Sequence, residues 1–156
     1  MHTIRLRGPW QLEPVYRYVP RTGGGYEQVE DGLPASAKLQ MPADWSAVCG
    51  ADFLGRVRFV RPFNSPPGLQ PDERVWLVVE PQRSQARVMM SEELLGTVGP
   101  DGAAGRFDIT HLLSPHNRLE IFVDHPVVDG EQHAGTGNDR LPGGLVGEVR
   151  LEIEEA

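Results

Sequence analysis

What most limits the fold of this chain is the period of its apolar residues. No stretch keeps a helical apolar period over about twelve positions, as an amphipathic helix of ordinary length would. Short alternating or all-apolar runs recur instead. Residues 3–7 alternate, with Ile4 and Leu6 on one face. Trp10, Leu12 and Val15 continue in extended style, and residues 56–59 alternate again. Residues 74–80 are apolar on both faces, which predicts a central strand covered on both sides. Residues 86–90 follow. Residues 117–124 and 148–154 then alternate, with Leu119, Ile121, Val123 and Val149, Leu151, Ile153 facing inward. The 18 Gly and 14 Pro punctuate these runs, in clusters such as Pro66-Pro67-Gly68, Gly99-Pro100-Asp101-Gly102 and Pro142-Gly143-Gly144. Many short strands at close spacing predict an all-β sandwich or barrel. Two helical turns are expected, at residues 43–48 after Pro42 and at residues 111–113, where the Thr110 hydroxyl is placed to cap. No repeat or linker interrupts the pattern, so residues 1–156 read as a single domain.

Composition narrows the function classes. With 39% hydrophobic and 24% charged residues the chain can bury a core, which excludes global disorder. No apolar run approaches the ~20 residues of a spanning helix. Lys and Arg number 15 against 22 Asp and Glu, a net charge of −7. An acidic surface repels phosphate, so neither nucleic acid nor a membrane is an expected partner. The first residues show no basic segment followed by an apolar one, and Cys49 is the single cysteine. A lone thiol and no secretory leader lead to the expectation of a reducing, cytoplasmic setting. Val48, Gly50 and Ala51 offer Cys49 no base, so it reads as a small buried hydrophobe.

Several segments then follow one another in a telling order. They are Met41-Pro42-Ala43-Asp44-Trp45; Val57-Arg58-Phe59-Val60-Arg61-Pro62-Phe63 with Pro66; Val75-Trp76-Leu77-Val78-Val79-Glu80; and Ala86-x-Val88-x-Met90. Leu95-Gly96, Phe107-Asp108-Ile109-Thr110, Leu113, Asn117-x-Leu119-x-Ile121-x-Val123, Gly143-Gly144-Leu145 and Glu148-Val149-x-Leu151 complete the series. In order and spacing it resembles the jelly-roll domain of family 2 glycoside hydrolases, the β-galactosidase and β-glucuronidase group. That domain carries V-P-x-x-W, Y-R-R-x-F-x-x-P, A-x-V-x-V-N-G, F-D-I-T and G-G-I-x-R-x-V-x-L. The matches extend from about Leu6 to Ile153. The resemblance implies a β-sandwich of jelly-roll topology, similar to galactose-binding domains. Two positions depart from it: Ser91-Glu92 stands where the family has Asn-Gly, and Gly147 where it has Arg. The family's catalytic carboxylates lie on a downstream (β/α)8 barrel, which needs on the order of 200 residues or more. The chain reaches only Ala156, so a noncatalytic domain is expected.

Candidate residues are weighed against packing. Asp108 and Thr110 suit a hydrogen-bonded corner, and Asn117 similar work before the next strand. Trp10, Trp45 and Trp76 offer flat faces for a sugar ring, but core packing is the stronger reading for each. Tyr16, Tyr18 and Tyr26 flank Gly23-Gly24-Gly25 and are the aromatics expected to be exposed. Arg56, Arg58 and Arg61 could grip a carboxylate-bearing sugar, although pairing with neighbouring acids on a half-solvated sheet is favoured. Residues 126–143 are long, polar and without strand pattern, so they read as a mobile loop or a ligand contact. In the larger family enzymes the corresponding region reaches toward the active site, which points to the same segment. The ligand-binding set taken from it is Asp129, Glu131, His133, Asn138 and Asp139, joined by Tyr26. Their spacing matches no metal loop, and no P-loop, Gly-x-Ser-x-Gly or zinc pattern is present. No metal, cofactor or catalytic residue is therefore expected. Asp129 and Glu131 as an acid–base pair carry almost no signal in so acidic a chain.

The function expected is a noncatalytic carbohydrate-binding module. The alternative is a structural or protein-interaction module that docks on a partner or self-associates and has no sugar affinity of its own.

Overall fold

Period-two patterning buries one face of a strand and needs a second layer to bury it against. The computed structural model supplies that layer as two facing antiparallel sheets; it describes residues 2–100, 103–126 and 142–155, and the backbone of 128–129 and 132–133. In chain order the elements are β1 (His2–Arg5), β2 (Trp10–Pro20), β3 (Tyr26–Val29), β4 (Ala37–Leu39), β5 (Ala43–Asp44) and the one-turn helix α1 (Ser46–Cys49). Then come β6 (Gly55–Asn64), β7 (Glu73–Val79), β8 (Gln85–Met90), β9 (Glu93–Val98), β10 (Gly105–Asp108) and a 3₁₀ turn (Thr110–Leu112). The chain closes with β11 (His116–His125), β12 (Val128–Asp129), β13 (Gln132–His133), β14 (Gly144–Leu145) and β15 (Val149–Glu155). Among the described residues the smaller sheet is ordered β1-β15-β7-β10 and the larger β3-β2-β6-β11-β8-β9, with β4 also on β2. Two short ladders, β12 with β13 and β14 with β5, stand outside both sheets. The fold is an all-β sandwich of jelly-roll topology.

The core lies between the sheets, where the alternation had put it. Val57, Phe59, Val88, Leu119, Ile121 and Val123 face inward from the larger sheet, Val75, Leu77, Val79 and Leu151 from the smaller, all nearly inaccessible to solvent. Each such side chain contributes about 1.5–3 kcal/mol by leaving water. Strand β11 is the keel: all ten of its residues pair with β6, and Leu119 to Asp124 also pair with β8.

Three local expectations change in detail. Residues 43–44 form β5 rather than helix, and the helical turn starts at Ser46, whose N–H and Oγ both donate to Asp44 Oδ1 at 2.9 and 2.6 Å. Thr110 does not cap its turn through the hydroxyl. That oxygen accepts from the Val75 N–H at 2.9 Å, while Asp108 Oδ1 accepts from the Thr110 N–H and hydroxyl at 3.0 and 2.6 Å. Asp108 and Thr110 thus tie the corner to β7. Trp76 is not in the core. It sits on the outer face of β7, half-buried, donating Nε1–H to Glu154 at 2.8 Å beneath the Arg106 guanidinium, 3.7 Å from the ring centre. The strand is central as expected, but long charged side chains rather than apolar ones cover its outer face.

Candidate functional site

The site begins with a bulge. In β2, Leu12 pairs with Phe59 and Glu13 with Arg58, and the register then slips between Pro14 and Tyr16, so that Tyr16 comes opposite Arg56. An extra residue in one strand reverses which face the following side chains take. Tyr16 and Tyr18 therefore join Glu13, Arg56 and Arg58 on the outer face. Gly55 makes the close approach feasible, since a Cβ there would lie 2.1 Å from the Tyr16 carbonyl oxygen. Across the β2–β3 hairpin, Tyr26 pairs with Pro20 and brings a third phenol to this face.

The three rings form a row. Tyr16 and Tyr18 meet edge to face with centroids 5.3 Å apart, and Tyr18 and Tyr26 follow at 5.7 Å. Tyr16 is buried, while Tyr18 and Tyr26 are half-buried. The Tyr16 hydroxyl donates to Asp124 Oδ1 at 3.1 Å and lies 3.3 Å from the Tyr18 hydroxyl. Arg56 grips the same carboxylate in a two-pronged pair, Nε to Oδ1 at 2.8 Å and Nη2 to Oδ2 at 2.9 Å, with its guanidinium 5.3 Å from the Tyr16 ring centre. Burial first, then the Tyr18 hydrogen bond and the Asp124 charge, push the Tyr16 phenol well above its ordinary range. Burial raises Tyr18 too, and the Asp124 hydrogen bond raises Arg56. Tyr16 and Tyr18 therefore stand as neutral phenols beside a closed ion pair.

The next rung repeats the pairing. Arg58 donates from Nε to Glu120 and from Nη1 to Glu13, both at 2.8 Å. Of the three arginines singled out, Arg56 and Arg58 are thus engaged by acids, as the packing reading required. Arg61 differs: it lies on the inward register of β6 and has no acid partner among the described residues.

The other candidate aromatics are structural. Trp10 and Trp45 are fully buried, donating Nε1–H to the Leu6 and Phe53 carbonyls at 2.7 and 3.2 Å. Trp45 packs edge-on against His125, which is itself buried and 2.7 Å from the Ser84 hydroxyl through Nδ1. Asn117 accepts from the Ser114 N–H at 2.9 Å and donates to the Phe63 carbonyl at 3.3 Å, fixing the turn before β11. Cys49 is half-buried against the core, and burial pushes its thiol up to about 11.

Of the expected ligand-binding set, the structure places Tyr26 in the tyrosine row. Asp129 and His133 lie on the β12–β13 ladder, where Asp129 pairs with Gln132 and Val128 with His133. Glu131, Asn138 and Asp139 lie outside the described residues. Sequence reasoning singled out Arg56 but passed over Asp124, 68 positions away, which holds the row together with it. The available signal was that Asp124 continues the polar register of an alternating strand. Among the described residues no cluster of His, Cys, Asp and Glu could hold a metal ion, and no helix is long and apolar enough to cross a membrane.

No protein-family model and no curated protein matches this chain. Solved structures do. An FMN-binding β-glucuronidase from Facaelibacterium prausnitzii L2-6 aligns over 97% of this chain and 22% of its own, with a TM-score of 0.72 and 24% identity. The Bifidobacterium dentium β-glucuronidase complexed with coumarin-3-O-glucuronide aligns over 99% and 30%, with a TM-score of 0.70 and 19% identity. The GH2 β-galacturonidase from Eisenbergiella tayi bound to galacturonate aligns over 96% and 24%, with a TM-score of 0.64 and 15% identity. The chain spans less than a third of the length of each. The likeness to the jelly-roll domain read from the sequence stands at the level of fold.

Proposed function

We propose that this chain is a noncatalytic carbohydrate-binding domain and that the Tyr18–Tyr26 end of the tyrosine row is its platform. The observation that carries this reading is the row itself. Two half-buried phenol rings, 5.7 Å apart, stand side by side on an outer sheet face. Aromatic faces stack on the C–H surface of a pyranose while hydroxyl edges hydrogen-bond to its oxygens. Binding without chemistry is supported by the state of the acids on this face. Asp124 is held by Arg56 and Tyr16, and Glu13 and Glu120 by Arg58, so none stands ready as a general acid or base. The neighbouring folds are sugar-processing enzymes, which favours a saccharide over other small ligands. Asp129, Glu131, His133, Asn138 and Asp139 remain part of the proposal as contacts that the 126–143 segment adds. A reducing, cytoplasmic setting is proposed on the lone Cys49.

A thermal-shift screen against mono- and oligosaccharides tests the reading, because a ligand that binds only the folded state raises Tm by mass action. A sugar-dependent rise that Tyr18→Ala and Tyr26→Ala abolish is the expected result. A flat screen would move the weight to the interaction module. That second reading is favoured by edge strand β9, which presents the exposed Leu94 (51%) beside Met89. Sizing chromatography with light scattering then decides whether the chain self-associates.

A further inference from the structure

A second, unrelated site lies at the other end of β6. Strand β2 pairs with β6 only as far as Gln11 opposite Val60. Beyond that step, β6 has β11 on one side and, among the described residues, no strand on the other. The space left between this ledge and the facing sheet is an open cleft of about 480 Å³, walled by Ile4, Leu6 and Leu151 and by Arg61. That volume falls within the ~300–1,000 Å³ of small-molecule sites.

Arg61 is anomalous in this place. Along β6 the inward positions are Val57, Phe59 and Arg61, opposite Val123, Ile121 and Leu119. A packed apolar side chain is what this register asks for, and a guanidinium stands there instead. Its Nη1 donates to the Pro62 carbonyl at 2.6 Å, and its Nε is buried with no hydrogen-bond partner. His116 and Asn64 at the mouth hold each other at 3.0 Å. Native structures rarely leave a buried donor unmet, and among the described residues no acid answers this guanidinium as acids answer Arg56 and Arg58. The partner that fits a planar, permanently charged fork is a carboxylate. The walls beside it are aliphatic.

We propose that this cleft binds a small organic acid, the carboxylate accepting from Arg61 and the apolar body lying on Ile4, Leu6 and Leu151. The site is independent of the tyrosine row and does not rest on the reading of that face.

The test is an amide and methyl NMR titration of the whole chain with benzoate and with hexanoate, with benzamide as the uncharged control. Benzoate and hexanoate are expected to shift Ile4, Leu6 and Leu151 saturably in the millimolar range. Arg61→Gln weakens that binding by about tenfold or more, Arg61→Lys by less, and Arg21→Gln in a distant turn not at all. Benzamide binding as tightly as benzoate would overturn the proposal, as would an unchanged affinity in Arg61→Gln or the absence of saturable shifts at these residues. Should Arg61→Gln fail to fold, the benzoate–benzamide difference and Arg61→Lys still decide the question.

Discussion

Tyr16 shows how one residue links the core to the outer face. Its ring is buried, its hydroxyl donates to Asp124, and the same carboxylate holds Arg56. Tyr16→Phe is expected to destabilise the fold by about 1.5–3 kcal/mol, the range for a hydrogen bond to a charged group. The alkaline side carries a sharper signature. The folded-state phenol is raised above its ordinary 10.0, so the stability it contributes is complete below that value and is lost as pH rises beyond it. Denaturation midpoints measured from neutral to strongly alkaline pH should therefore fall less steeply for Tyr16→Phe than for the native chain. Asp108 works in the opposite direction. The Thr110 hydrogen bond is the main cause holding its carboxyl below the ordinary 3.8, with the Arg74 guanidinium helping. Its contribution is complete above 3.8 and disappears as pH falls through the depressed value. Asp108→Asn should be less stable at neutral pH and should lose less stability on acidification, as read by the same midpoints. The limits of the sequence are also clearest at this scale. Trp10 and Trp45 were legible as packed. Trp76 was not, because the side chain that covers it, Arg106, comes from another strand. The burial of Tyr16 was hidden by the slip in β2, which no local pattern announces.

Among the elements, the hairpin between β8 and β9 is where the chain strains most visibly. Met90 pairs with Glu93, leaving a two-residue turn in which Ser91 and Glu92 both take positive φ, 48° and 74°. Such a turn favours Asn-Gly, since side chains other than Gly or Asn resist the left-handed region. Glu92→Gly is expected to stabilise the chain by about 1 kcal/mol and to raise Tm, measured by calorimetry. Strand β11 is the opposite case, with pattern, pairing and burial in agreement. Ile121 is fully buried at its centre, so Ile121→Ala should cost about 2–5 kcal/mol in denaturant unfolding. This strand was legible in full, because alternation over eight residues leaves only one face to bury. The segment after it was legible only as a polar stretch; what its acids do depends on geometry that composition does not encode.

At the scale of the whole molecule, two sheets share one apolar interior and differ in what they show to solvent. The smaller sheet's outer face is bound up in its own charges: Arg150 with Glu80, Glu148 and Glu152; Arg106 with Glu152 and Glu154; Arg74 with Asp108. The larger sheet carries the tyrosine row, and the ledge at the far end of β6 carries Arg61. The sandwich was predictable because strand period and turn spacing act locally. The sites were legible only in part: the tyrosines of β2 and β3 and Arg61 stood out, but Asp124 and Leu151, which complete them, come from strands distant in sequence. The most direct test of a carbohydrate-binding face is an NMR titration of the native chain and a Tyr18→Ala/Tyr26→Ala variant with oligosaccharides chosen from the thermal screen. Saturable shifts confined to β2, β3 and the neighbouring end of β11, absent in the variant, are expected. Shifts that persist in the variant, or no saturable shift at millimolar sugar, would contradict the carbohydrate-binding reading.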